Sequence, residues 1–294
     1  MRLEDDTTRS PGGATAQTGR RRIRTGRNLP AALAVGLGLG GLVLLTLFTV
    51  KATFLLYMGI LVGAGLWELG HALGTREIRL PLIPVAVGGV AMVSLAYWEQ
   101  TRWGLGALAL TAIAVLAWRL RGGAAGYVRD VTAGFFAIAY LPLMAMFVSL
   151  MLLEPDGSRR ALIFVVLAVC SDTGGYAAGV LLGKHLMAPV ISPKKTWEGL
   201  AGSVVFCLVG GGIMVPALLG GHAWQGLILG AAAVAAATLG DLAESMIKRD
   251  LDIKDMGHLL PGHGGILDRI DSLLVTAPIT WLLLAIFVSN GHAV

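Results

Sequence analysis

Charge is what this sequence has least of. Only 14% of its 294 residues are Asp, Glu, Lys or Arg, where a soluble domain carries about 25%. A chain so short of groups that face water falls outside the ordinary soluble classes. Cysteine is also scarce. Cys170 and Cys207 both lie inside apolar segments and read as packing residues, without a disulfide framework or metal motif. No His-x-x-x-His or Cys/His spacing suggests zinc, and His222 and His292 read as ordinary residues near the surface opposite the motifs.

What is abundant is apolar. Hydrophobic residues make up 55% of the chain and the mean hydropathy is +0.75. They fall in blocks, and a block of about 20 apolar residues matches the hydrocarbon thickness of a bilayer. Forty-one glycines fit the same picture, because small residues let membrane helices approach closely. Nine candidate spans follow, near 30–50, 52–73, 80–98, 103–118, 131–153, 161–182, 200–220, 223–240 and 272–290. Pro84, Pro142 and Pro216 fall inside spans, where neighbouring helices can satisfy the backbone. The expected fold is all-α: a polytopic integral membrane protein of about nine transmembrane helices, with a polar site in its C-terminal third.

Residues 1–29 are polar and carry the basic run Arg20-Arg21-Arg22-Ile23-Arg24-Thr25-Gly26-Arg27. A signal peptide would need an early apolar core and a cleavage site of small residues. This segment is expected to be a disordered cytoplasmic tail, and residues 30–294 a single transmembrane domain. The net charge of +5 does not point to nucleic acid, because the basic residues sit in loops between apolar blocks. With the N-terminus inside and the chain alternating, 19 of the 23 Lys and Arg fall on the cytoplasmic side. Lys51, Arg102, Arg159 and Arg160 remain outside. That asymmetry favours this topology and puts both motif segments on one face.

The last cytoplasmic segment runs from Gly240-Asp241 to Asp268-Arg269-Ile270-Asp271. Asp241, Glu244 and Lys248 are spaced i, i+3, i+7, so one helix face would carry all three. Pro261-Gly262 and Gly264-Gly265 are expected to break that helix. Asp268 and Asp271 are again i, i+3 at the entry to the last span. Carboxylates clustered at membrane ends of helices, beside glycines and interleaved with Lys and Arg, suit a metal and a triphosphate. Mg²⁺ takes one or two carboxylates plus substrate phosphates, and backbone N–H groups and basic side chains both bind phosphate. The competing reading is a solvated amphipathic loop.

A second segment reads Ser171-Asp172-Thr173-Gly174-Gly175-Tyr176, then Ser192-Pro193-Lys194-Lys195-Thr196-Trp197-Glu198-Gly199. Asp172 lies within an apolar helix, where an ionisable group is costly and points to function; a structural hydrogen bond is the alternative. Ser192, Lys195 and Thr196 offer hydroxyl and ammonium groups to phosphate, without the glycine spacing of a Walker A loop. Lys194 and Lys195 could equally be topological charges. Glu68, with His71 three residues on, is a weaker buried-polar candidate, with a structural role the competing reading.

At these residues the chain resembles the phosphatidate cytidylyltransferase family. Ser245, Lys248-Arg249, Lys254-Asp255, Pro261, His263-Gly264-Gly265, Asp268-Arg269 and Asp271 fall in register with that family's signature. Ser-Asp-Thr-Gly-Gly-Tyr and Ser-Pro-Lys-Lys-Thr-Trp-Glu-Gly resemble two further blocks, with Lys194 where a glycine is common. The resemblance covers about 171–271; before that only Trp67-Glu68 stands out from general hydropathy. It implies a bacterial cytoplasmic-membrane enzyme that is Mg²⁺-dependent, its site facing the cytoplasm. That enzyme would transfer CMP from CTP to phosphatidic acid within the bilayer lipids, giving CDP-diacylglycerol and pyrophosphate. It implies Asp241 and Asp268, with Asp271, at the metal, and Lys248 and Asp172 beside the chemistry. Ser192, Lys195, Thr196, Ser245, Arg249, Lys254, His263, Gly264, Gly265 and Arg269 would contact substrates. A homodimer is left open, as is a cytidylyltransferase for polyprenol or archaeal lipids. Two other classes compete. A CDP-alcohol phosphotransferase would carry Asp-x-x-Asp-Gly-x-x-Ala-Arg, which does not occur here. A transporter would tend to show matched halves with broken helices, and none are evident.

Overall fold

The computed structural model describes residues 29–98, 101–257, 259 and 264–288, with backbone alone for 29–37 and 39. The expected tail, up to residue 28, lies outside them. The chain is all-α but for one hairpin. Its helices are α1 (Leu29–Thr49), α2 (Lys51–Gly74), α3 (Leu82–Trp98), α4 (Thr101–Leu120), α5 (Tyr127–Tyr140), α6 (Pro142–Leu153) and α7 (Gly157–Leu182). The antiparallel pair β1 (Leu186–Ala188) and β2 (Ser192–Thr196) follows. Then come α8 (Trp197–Leu219), α9 (Ala223–Asp250) and α10 (Leu267–Phe287).

Among the described residues, seven helical stretches are long and apolar enough to cross a membrane, counting Tyr127–Leu153 as one. Gly40–Thr49 and Leu82–Trp98 are shorter apolar helices. The exterior agrees with that reading. Leu56, Leu110, Leu181, Val209 and Ile286 stand exposed on helix faces, an apolar surface that suits lipid and not water. The protein is a multi-pass membrane protein.

Two boundaries differ from the sequence-based expectation. The 131–153 span is broken at Leu141, and α6 starts on Pro142 at its first position, where a missing N–H costs nothing. Helix α9 does not run on to Pro261-Gly262. It ends at Asp250: Asp252 takes a left-handed φ of 61°, Ile253 N–H donates to Lys248 O at 2.9 Å and Asp252 N–H to Arg249 O at 3.2 Å. This paired closure stops a helix by satisfying its last carbonyls, with Asp in the left-handed place usually held by Gly.

The far end of the bundle accounts for three of the four exceptional cations. Lys51 Nζ donates to Leu152 O and Glu154 O at the end of α6. Arg159 donates to Leu218 O at the end of α8. Arg160 donates to Leu284 O and Val288 O at the end of α10. Each brings a cation to the last carbonyls of a helix, at the negative end of its dipole.

The C-terminal helices pack through glycines. A Cβ on Gly174 would sit 2.6 Å from Gly202 O, so α7 and α8 touch backbone to backbone there. Ser203 Oγ donates to Ser171 O at 2.6 Å across the same contact. A Cβ on Gly240 would sit 2.6 Å from Asp271 O, which marks the crossing of α9 and α10. The first crossing sets Asp172 beside α8, and the second sets Asp241 beside Asp271.

Candidate active site

The segment Ser192–Thr196 is strand β2, its first residue paired with Ala188. The Thr196 hydroxyl accepts from Gly199 N–H at 3.1 Å at the start of α8, the usual work of a helix N-cap, and keeps its O–H to donate. Glu198 closes the base of the hairpin by accepting from Lys184 N–H, His185 N–H and His185 Nδ1. The hairpin therefore leans over the membrane helices and presents Lys195 to them. Lys195 Nζ lies 2.5 Å from Asp241 Oδ2. Lys195, Asp241 and Asp172 line one polar cavity of about 230 Å³, with Lys194, Thr196 and Thr238.

A second ion cluster lies beside it. Lys248 contacts both Glu244, one helical turn back on α9, and Asp268 Oδ1, at 2.8 Å. The i, i+4 spacing on α9 and the entry of α10 make this triad. Asp268 Oδ2 accepts from Gly265 N–H at 2.8 Å and Met256 N–H at 3.1 Å, so each of its oxygens has a donor and Oδ1 keeps a lone pair. Asp271 is buried; its Oδ1 accepts from Ser272 N–H, and it lies within electrostatic reach of Asp241 and Glu244.

The remaining candidates are spread more widely. Arg249 Nε donates to Ile191 O at the hairpin turn. Ser245 is half-buried on α9, and Lys254 is exposed in the loop beyond it. Gly264 holds a φ of 80°, a conformation suited to glycine, and Gly265 is buried. Ser192 is half-buried at the start of β2. His263 lies outside the described residues. Arg269 faces a different space: an apolar groove of about 410 Å³, lined by Phe54, Tyr57, Leu61, Val165 and Leu273. Asp172 lines this groove as well as the polar cavity, so one carboxylate borders both.

Two buried groups had little or no sequence signal. Tyr140, at the α5–α6 break, is buried, and its hydroxyl has no hydrogen-bond partner among the described residues. It lies within electrostatic reach of Asp271, Glu244, Asp241 and Asp268. A tyrosine inside an apolar span gives no sequence cue to such neighbours. Glu68 on α2 is fully buried, and both its oxygens accept from the start of α10. Its ionisable side chain within a span was the available signal. His71, by contrast, is exposed and bonds back to Trp67 O.

Residues 31–287 match the Cytidylyltransferase family. The chain belongs to that family. A phosphatidate cytidylyltransferase of Mycobacterium leprae is 40% identical over 291 residues, covering 93% of each chain. One from Mycobacterium tuberculosis is 37% identical over 287 residues, covering 93% of this chain and 88% of its own. One from Pseudomonas aeruginosa is 33% identical over 264 residues, covering 86% and 94%.

As to a metal in this cytidylyltransferase, no set of three His, Cys, Asp or Glu side chains among the described residues is arranged to hold one. A magnesium ion needs less, one or two protein carboxylates with phosphate oxygens making up the rest. Asp241 and Asp271 offer hard oxygens, as does Asp268 through the lone pair that Oδ1 keeps beside its bond from Lys248, and Glu244 Oε1 is buried without a hydrogen-bond partner among the described residues. The donor set fits a hard cation brought in with a triphosphate.

Proposed function

We propose that this chain is a phosphatidate cytidylyltransferase, joining the phosphate of phosphatidic acid to the α-phosphorus of CTP and releasing pyrophosphate. The observation that carries this is Asp172. It borders a polar cavity lined by Lys194 and Lys195 and also an apolar groove that Arg269 lines. A reaction between a water-soluble nucleotide and a lipid needs such a meeting of two spaces.

On this reading the triphosphate lies in the polar cavity under the hairpin, with Lys195 and Lys248 neutralising its charge. Ser192, Ser245, Arg249, Lys254 and the Gly264-Gly265 turn border the nucleotide. The acyl chains lie in the groove, and Arg269 holds the lipid phosphate at its polar end. Asp172 is placed to take the last proton of that phosphate as its oxygen attacks, and a nearby base typically contributes 10²–10⁴-fold. The oxygen–phosphorus bond forms as the bond to the pyrophosphate oxygen breaks. Positioning and charge neutralisation carry most of the acceleration. Asp241 and Asp271, with Asp268, would hold Mg²⁺, which when bound screens the triphosphate and the departing pyrophosphate.

The site is read as cytoplasmic, where CTP is, because the loops at its end of the bundle carry most of the Lys and Arg. The apolar exterior leaves room for a homodimer, which cross-linking in native membranes would detect. The deciding assay uses purified protein with CTP, Mg²⁺ and phosphatidic acid. Formation of CDP-diacylglycerol with one pyrophosphate per turnover is the expected result. Absence of product with phosphatidic acid, and turnover with another lipid phosphate, would reassign the acceptor.

A further inference from the structure

Glu68 lies in a membrane helix with no exposed surface. A carboxylate there is costly unless something replaces its water. What replaces it is the N-terminus of α10. Oε1 accepts from Ile266 N–H at 3.0 Å and Oε2 from Leu267 N–H at 2.9 Å. These are the residues just before Asp268. Two of the N–H groups that a helix start leaves open are satisfied, and the negative charge sits at the positive end of the dipole.

The fit is tight on the other side as well. A Cβ on Gly265 would stand 2.6 Å from Glu68 Oε2 and 2.9 Å from Asp268 Oδ2. A Cβ on Gly257 would overlap the Glu68 carboxylate itself. Glycines at 257 and 265 thus let the loop backbone close over Glu68, while Gly265 N–H donates to Asp268. Glu68 and Asp268 hold the same few residues of backbone from two sides.

We propose that Glu68 is a positioning residue for the reaction: from α2 it clamps the first residues of α10 and so sets the Asp268 carboxylate against Lys248. The inference rests on the reading of Asp268 as part of the site. It requires a carboxylate, because both oxygens meet donors; an amide would turn an N–H₂ toward a backbone N–H.

The test uses the full chain in lipid nanodiscs, with Glu68→Gln and Glu68→Asp. Hydrogen exchange is followed at Ile266 and Leu267, and the Mg²⁺ concentration for half-maximal activity is measured beside the KM for CTP. We expect faster exchange at those two amides, with the rest of α10 unchanged. Half-maximal activity should need about 10-fold more Mg²⁺, the usual scale for losing a group that orients a metal ligand. The KM for CTP at saturating Mg²⁺ should change little, and Glu68→Asp should recover part of the loss. Gly257→Ala, whose Cβ would press on the Glu68 side chain alone, should give the same signature; it decides the matter if the Glu68 variants do not fold. Gly70→Ala, whose Cβ would meet only ordinary contacts from 3.5 Å, should behave as wild type. Unchanged exchange at Ile266 and Leu267 in folded Glu68→Gln overturns the proposal. Fast exchange there with an unaltered Mg²⁺ requirement also overturns it. The role of Asp268 is judged separately, by whether Asp268→Asn affects turnover at all.

Discussion

Lys248 and Asp268 are twenty residues apart in sequence and 2.8 Å apart in space, and Lys248 also contacts Glu244. One ammonium group therefore joins α9 to the entry of α10, while Lys195 joins the hairpin to α9 through Asp241. The two lysines approach the acidic cluster from different elements. That difference makes their roles separable.

Lys195→Met should raise the KM for CTP, because a cation on a hairpin that docks the triphosphate acts equally in ground and transition states. Lys248→Met should lower kcat more than it raises KM, because it sits among the carboxylates nearest the departing charge. Each effect should be about 10–100-fold, as expected for a charge-assisted contact of roughly 1.5–3 kcal/mol. Steady-state kinetics with CTP varied at saturating phosphatidic acid measure both. Unchanged kinetics in both variants would move the nucleotide toward Arg249, Lys254 and Arg269.

Asp241→Asn and Asp268→Asn should insert normally and lose nearly all activity, since a neutral amide is a poor ligand for a hard cation. Glu244→Gln should be milder. Activity across a range of Mg²⁺ concentrations tests this. Near wild-type turnover in both Asn variants would remove the metal from these two aspartates.

Gly240→Ala should destabilise the protein by about 1–3 kcal/mol, the range for an added carbon in a packed contact. Its Cβ would press on the backbone at Asp271, so activity should fall as well. Thermal unfolding in detergent gives the first quantity and turnover the second. A variant as stable and active as wild type would mean that α9 and α10 separate freely at this crossing.

Single cysteines at Pro155 and Asp250, in a background without Cys170 and Cys207, should label from opposite sides of the membrane. Both positions are exposed. Pro155 is preferred to Gly157, where a Cβ would run into Leu152 O at 2.5 Å. An impermeant maleimide added to intact cells should reach Pro155→Cys and not Asp250→Cys. Labelling of both would end the proposed topology.

Much was legible in the sequence because it depends on local composition. Apolar blocks, their lengths and the bias of Lys and Arg among loops determine an all-α membrane bundle with its polar residues gathered at one end. The i, i+3, i+7 spacing put Asp241, Glu244 and Lys248 on one face of α9, and α9 carries them so. What local pattern could not determine was which distant backbone each side chain would meet. Thr196 reads as a phosphate contact; that its hydroxyl also accepts from Gly199 N–H and caps α8 came only from the structure. Lys51, Arg159 and Arg160 look like exceptions to the charge rule, until the ends of α6, α8 and α10 arrive beside them. Helix α9 stops at Asp250, because Asp252 turns left-handed and the last carbonyls find donors in the next two residues. Glu68 shows the division most plainly. Its sequence position said that a carboxylate lies inside a span; only the packing of α2 against α10 decided that its two oxygens would be met by Ile266 and Leu267. Their N–H groups lie 198 and 199 residues away along the chain.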